Sequence, residues 1–123
     1  MSDSDPQALT IRAAREIERS GDWMLVRRSL GLAAFGLNIV EIPPGETIPE
    51  HDEIDRDQEE VFLALDDGLV LIVGGVEHAL PAATFARLDP ELRRTARNDA
   101  ATPARLLITS APRTSGYEPM AWA

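Results

Sequence analysis

From residue 33 onward, apolar residues recur with a period of two in short runs cut by Gly, Pro, Asp and Asn. That is the spacing of strands whose side chains alternate between two faces. In 33–42, Phe35, Leu37 and Ile39 share one face while Val40 and Ile42 share the other, so both faces are apolar, as in a strand enclosed in a barrel or double sheet. Gly36 inside this run marks a bulge or a close backbone approach. Further strands are predicted at 60–65, 69–73, 76–80, 84–88, 92–96 and 105–109. Gly74-Gly75 makes a two-residue hairpin turn, and Asp66-Asp67-Gly68, Pro81-Ala82-Ala83, Asp89-Pro90 and the stretch 98–103 turn the chain elsewhere. A strand at 23–27 precedes the series. At the N-terminus the pattern is weaker: 1–10 is polar and expected to fray. Residues 11–19 read as a short helix with Ala14 and Ile17 on one side and Thr10 as N-cap, or in part as an edge strand.

About eight or more short strands with at most one helix favour a β-sandwich or closed barrel over an α/β fold. With 123 residues the chain is the size of one domain. No repeat or linker divides it.

Composition narrows the chemistry by what is missing. There is no Cys, hence no disulfide framework, thiol nucleophile, Cys-bound zinc or iron–sulfur cluster. All 12 basic residues are Arg, which excludes Schiff-base chemistry on a lysine. His51 and His78 are the only histidines, so one chain cannot build a three-histidine metal site. The net charge of −9 and a pI near 4.6 argue against nucleic acid and anionic membranes as partners. The first residues lack a basic segment followed by an apolar one, so no signal peptide is expected, no apolar run reaches the ~20 residues that span a bilayer, and a cytoplasmic location is the default expectation.

One stretch, 43–68, concentrates candidate chemistry. It leaves a strand through Pro43-Pro44-Gly45, crosses an acidic run around His51, and re-enters a strand at Glu60-Val61-Phe62-Leu63. Most acidic runs are solvated surface, and the spacing does not fit an EF-hand. Strand alternation puts Glu60, Phe62 and Ala64 on one face and Glu59 on the other. His78, just after the Gly-Gly turn, reads as an exposed turn histidine. Phe62 and Phe85 read as core, and Arg87 and Arg93 with Arg94 as a basic strip near the mouth of the barrel.

Pro-Pro-Gly at 43–45, Glu-His-Asp-Glu at 50–53, Gln-Glu-Glu-Val-Phe at 58–62 and Gly68 resemble the first motif of the cupins. Gly-Val-Glu-His-Ala-Leu at 75–80, Phe-Ala-Arg-Leu-Asp-Pro at 85–90, Arg94 and Asn98 resemble the second. The resemblance covers 31–111. It implies an all-β double-stranded β-helix (a jelly-roll barrel), preceded by an N-terminal segment over 1–30 with a short helix or edge strand. A C-terminal tail over 112–123 is expected to pack on the barrel, and a homodimer formed through sheet packing is implied as well.

Mapped onto the cupin ligand pattern, His51 matches the first histidine, Glu53 stands at the second, and Glu60 matches the glutamate, with Glu59 the alternative. Arg94 stands where the last histidine belongs, and Ala83 replaces the usual turn glycine. Two readings follow. In the first, His51, Glu53, Glu60 and Arg94 bind a small polar molecule in the barrel, Arg94 neutralising the carboxylates of a degenerate metal site without a cofactor. In the second, His51, Glu53 and Glu60 hold Mn, Fe, Ni or Zn, and the protein is a dioxygenase, isomerase or lyase whose Arg94 anchors a small anionic substrate. A blander alternative is an interaction module with a filled interior.

Overall fold

The computed structural model describes residues 8–123; the expectation for the first few residues lies outside them. Two antiparallel sheets face each other. The larger has the order β1-β2-β3-β9-β4-β7 and the smaller β6-β5-β8. Its elements are β1 (Arg19–Ser20), β2 (Trp23–Met24), β3 (Gly36–Ile42), β4 (Gln58–Ala64), β5 (Leu69–Val73), β6 (Val76–Leu80), β7 (Phe85–Leu88), β8 (Arg94–Asn98) and β9 (Ala104–Pro112), with α1 at Val26–Leu30. The non-sequential order, with β9 between β3 and β4, brings chain ends and middle into one sheet. Among the described residues, no helix is long and apolar enough to cross a membrane.

The period-two pattern decides what is enclosed. Val40, Ile42, Phe62, Ala64, Ala104 and Leu106 from the large sheet meet Leu69, Leu71, Leu80 and Ala96 from the small one. In the large sheet the inward-facing rows run from Ile42–Ala104 and Val40–Leu106–Ala64 to Asn38–Ile108–Phe62, and end at Gly36–Ser110–Glu60. The interior is therefore apolar at one end and polar at the other.

Several local expectations change. Residues 23–27 are not one strand: pairing with β3 stops at Met24, and the chain coils into α1. Gly31 ends the helix in the left-handed conformation at φ 70°, its N–H donating to the carbonyls of Arg27 and Arg28. This glycine stop outweighs a strand reading that rested on a few apolar residues. The helix expected at 11–19 is a single 3-10 turn at Ala14–Glu16, after which Arg19–Ser20 pairs with β2 as an edge strand. Gly36 is no bulge, because β3 and β9 stay in continuous register. It is a close approach: a Cβ there would lie 2.6 Å from Ser110 Oγ. Phe62 is core, but Phe85, opposite Leu63 on the outer face, is exposed because β7 is an edge strand with nothing packed over it.

Candidate functional site at the barrel mouth

The polar end of the interior is assembled from three segments. Glu60 sits on the inward face of β4 and is buried. His51 lies in the loop before β4, and a pair of backbone hydrogen bonds ties it to Arg94 on β8: His51 N–H donates to the Arg94 carbonyl at 3.0 Å and Arg94 N–H to the His51 carbonyl at 2.8 Å. Directly opposed residues on antiparallel segments project to the same side, so this bridge sends both side chains to the mouth. Glu53 is placed by its N–H donating to Pro90 O at 2.9 Å. A 3-10 turn at Ile54–Arg56 then leads into β4.

The four residues singled out in the sequence come together, in unequal roles. His51 Nδ1 lies 2.9 Å from the Pro49 carbonyl; a carbonyl only accepts, so Nδ1 carries a proton. Nε2 is thereby turned toward Glu53 Oε2, 3.2 Å away. One ligand atom from each of His51, Glu53 and Glu60 lies within 4.8 Å of the others. His51 is the open member, with its side chain 37% exposed.

Arg94 is 0% exposed. Its Nη1 donates to Leu92 O at 2.6 Å and Nη2 to Asp89 O at 3.5 Å, while Nη2 lies 3.4 Å from Glu60 Oε1. The carbonyl contacts hold the guanidinium beneath the mouth, so it cannot extend outward to meet a substrate. Two buried atoms, Glu60 Oε1 and Arg94 Nε, have no hydrogen-bond partner among the described residues, so this ion pair is close but incompletely satisfied. Burial pushes the Glu60 carboxyl above the usual carboxylate range, the Arg94 charge opposes that rise, and the Glu53 carboxylate adds to it.

Two carboxylates, Glu53 and Glu60, face the Arg94 guanidinium, the His51 imidazole and, at 3.4 Å from Glu53 Oε1, the Nη2 of Arg56. The donor types also fit a divalent cation, since an imidazole nitrogen fixed by its other ring N–H is the usual form of a metal-bound histidine. Arg94 is the member that does not fit, because a guanidinium has no lone pair to give.

Sequence reasoning passed over Asn38 and Ser110, which share the inward side with Glu60 near the polar end; strict alternation along β3 and β9 was the available signal. Asn98, which the sequence offered only as a motif residue, is fully buried; its Nδ2 donates to Ile42 O and Thr102 O at 2.8 Å each while Oδ1 accepts from Ala100 N–H. Asn98 is a structural latch on the turn after β8. The expected basic strip is absent: Arg87 pairs with Glu59 and Asp89, Arg93 with Glu50, and Arg94 is buried. His78 is exposed, though on strand β6 rather than in the turn, and it lines a small apolar cleft beside β7 away from His51.

No protein-family model matches the sequence, and comparison with curated proteins finds no relative. Solved structures are similar. A cupin protein from Bacteroides fragilis has a TM-score of 0.69 at 18% identity, covering 91% of this chain and 94% of that one. A cupin 2 conserved barrel domain protein from Salinispora arenicola gives 0.69 at 17% identity, over 89% and 93%. A cupin-superfamily sugar phosphate isomerase from Silicibacter pomeroyi gives 0.64 at 22% identity over 72% of this chain, which spans only 57% of that protein. Two facing antiparallel sheets and these similarities converge on one architecture: the chain has the double-stranded β-helix fold of the small cupins.

Proposed function

We propose that this protein binds a small polar ligand at the barrel mouth through His51, Glu53 and Glu60, with Arg94 fixed beneath them as an internal cation. The observation that carries this reading is the burial of Arg94 at the position where the cupin resemblance puts the last metal ligand. Its charge beside Glu60 opposes a dication at the same carboxylate, an effect of several kcal/mol at ~4 Å even with an effective dielectric near 20. The accessible groups then set the ligand chemistry. Carboxylates accept hydrogen bonds, so the ligand presents hydroxyl or amine donors. Two of the similar structures are described as sugar phosphate isomerases, one of them putative. A polyol suits this mouth, whereas a phosphate would have to displace existing pairs, since Arg56, Arg93 and Arg94 each face a carboxylate.

Titration calorimetry with polyols and small amines tests the reading. Binding should weaken about tenfold or more in Glu53→Gln, which loses a charged acceptor, and Arg94→Met should not abolish it if the fold is retained. Failure of every such ligand, together with stoichiometric Mn, Fe, Ni or Zn in protein purified without chelator, overturns it.

A second reading, a metal-dependent cupin enzyme, is favoured by one observation: the Pro49 carbonyl fixes the His51 tautomer that leaves Nε2 facing Glu53, in a group whose ligand atoms, Glu60's included, lie within 4.8 Å of one another. His51, Glu53 and Glu60 would hold the ion, which when bound supplies Lewis acidity or an oxygen-binding centre. Arg94→His separates the two readings. Under the first, the substitution creates metal uptake that the natural chain lacks. Under the second, the natural chain is already loaded, and His51→Ala empties it.

A further inference from the structure

We propose that residues 52–57 form a strap across the barrel mouth that lifts to admit a ligand, and that Arg113, outside the site, is the clasp that holds it down. What the strap admits rests on the reading above; that it opens locally does not. Of the side chains placed in the site, only His51 is open. Those of Glu53 and Glu60 are each 10% exposed, and Glu60 Oε1 and Arg94 Nε are buried without a hydrogen-bond partner among the described residues. Unpaired buried atoms of this kind are few in folded proteins. The mouth is therefore shut over the groups a polar ligand would use, and part of it has to move before one touches Glu60.

The sequence marks the movable part. Asp-Glu-Ile-Asp-Arg-Asp at 52–57 contains one apolar residue, and that residue, Ile54, is 56% exposed. None of the six is buried, so the strap has no anchor in the core. Its two ends are fixed. His51 is joined to Arg94 by paired backbone hydrogen bonds, and Gln58 pairs with Pro112 where β4 begins. Within the strap, Ile54 N–H donates to Asp52 Oδ1 and Asp57 N–H to Ile54 O, each at 3.2 Å. A segment with few apolar contacts and exposed hydrogen bonds opens at low free energy while the core stays folded.

Beyond its neighbours His51 and Gln58, the strap is tied at two places among the described residues. At the first, Glu53 N–H donates to Pro90 O at 2.9 Å. At the second, Arg113 N–H donates to Asp57 O at 3.1 Å, and its Nε and Nη2 donate to Asp57 Oδ1 at 3.0 and 2.7 Å. Asp57 has a left-handed backbone, φ 51°, which a non-glycine residue keeps only where its surroundings hold it. Arg113 supplies that hold. The same Nη2 donates to Glu91 Oε2 at 2.7 Å. Glu91 belongs to the turn whose Asp89 and Leu92 carbonyls grip Arg94 and whose Pro90 carbonyl receives Glu53. One guanidinium thus joins the end of the strap to the turn that receives its beginning, which makes Arg113 a positioning residue for Glu53 and Arg94. The side chains of Asp57, Glu91 and Arg113 are between 40% and 57% exposed, so salt screens the clasp.

Amide hydrogen exchange of the full chain, followed by NMR with no ligand added, tests the strap. In Arg113→Gln the amides of Glu53, Asp57 and Gln58 should exchange about tenfold faster than in the natural chain, through loss of the charge-assisted pair. Those of Val40 and Leu106 in the core should keep their rates. Asp57→Asn, which tolerates the left-handed backbone but lacks the charge, should give the same result. Raising sodium chloride to about 1 M should speed the three strap amides of the natural chain and leave those of Arg113→Gln unmoved. Strap amides that exchange equally in all three proteins, or that accelerate only in step with the core amides, overturn the proposal. For a polyol that binds, association should be about tenfold faster in Arg113→Gln, and an unchanged association rate overturns the role of the strap in admission. If no polyol binds, the ligand reading fails and the exchange rates still decide the strap.

Discussion

Arg94 and Glu60 are the residues whose energetics depend most on one another. A guanidinium with no exposure beside a carboxylate with an unpartnered oxygen is tolerated only while both are present, since a buried charge that loses its partner costs about 3–5 kcal/mol. Arg94→Met and Glu60→Gln should therefore each destabilise the fold by about that amount, the carboxylate variant at the upper end because guanidinium cannot discharge. The double variant should cost much less than the two costs combined, and urea denaturation of the four proteins measures the coupling. Ala83 makes the opposite prediction. It occupies the third position of a turn closed by Thr84 N–H donating to Pro81 O, at φ 64°, where glycine is preferred. Left-handed backbone costs an alanine about 1–2 kcal/mol, partly offset by the unfolded-state entropy that glycine adds. Ala83→Gly should gain about 0.5–1 kcal/mol, read as a rise of a few degrees in melting temperature. That the position departs from the family's glycine was legible in the sequence; that its backbone keeps the glycine conformation was not, because φ is imposed by the flanking strands.

At the scale of elements, turns hold the two sheets in register. The turn between β4 and β5 ends at Gly68, φ 105°, where an added Cβ would lie 2.5 Å from Ala100 Cβ and 3.0 Å from its N. Gly68→Ala should therefore cost about 2 kcal/mol or more in chemical denaturation. In the same turn, Asp66 accepts hydrogen bonds from the backbone N–H, Nε and Nη2 of Arg105, at 2.9, 2.8 and 3.0 Å, clamping the turn to β9. These bonds lower its carboxyl from 3.8 to about 2. A carboxyl depressed in the folded state contributes stability that is fully present above its unfolded value and is lost as pH falls through the folded one. The natural chain should consequently lose stability between about pH 4 and pH 2 more steeply than Asp66→Asn, when melting temperatures are followed against pH. The strands Leu69–Val73 and Val76–Leu80 were legible to the residue, because the Gly74-Gly75 hairpin turn marks where one ends and the other begins. The N-terminal elements were not, since Arg19–Ser20 and Trp23–Met24 are strands only because β3 offers an edge to extend.

For the whole molecule, alternating faces, turn residues and composition were enough to specify an all-β sandwich or barrel, which the cupin resemblance narrowed to a jelly roll, and to exclude thiol, lysine and three-histidine chemistry, because side-chain period and residue type are properties of the chain itself. Parity alone also turned Glu60 inward and Glu59 outward. What the sequence left open concerned distance. Whether Arg94 reaches for a ligand or lies beneath Glu60 depends on a bridge between positions 51 and 94 and on the carbonyls of Asp89 and Leu92, which exist only once the two sheets have closed. The exposure of Phe85 likewise follows from its place on the outer face of β7, with no element packed over it among the described residues, and Met120 and Trp122 are exposed in the tail that follows β9. Local pattern determined which residues face inward; only the tertiary structure decided which of them meet, because those contacts join residues far apart in the chain.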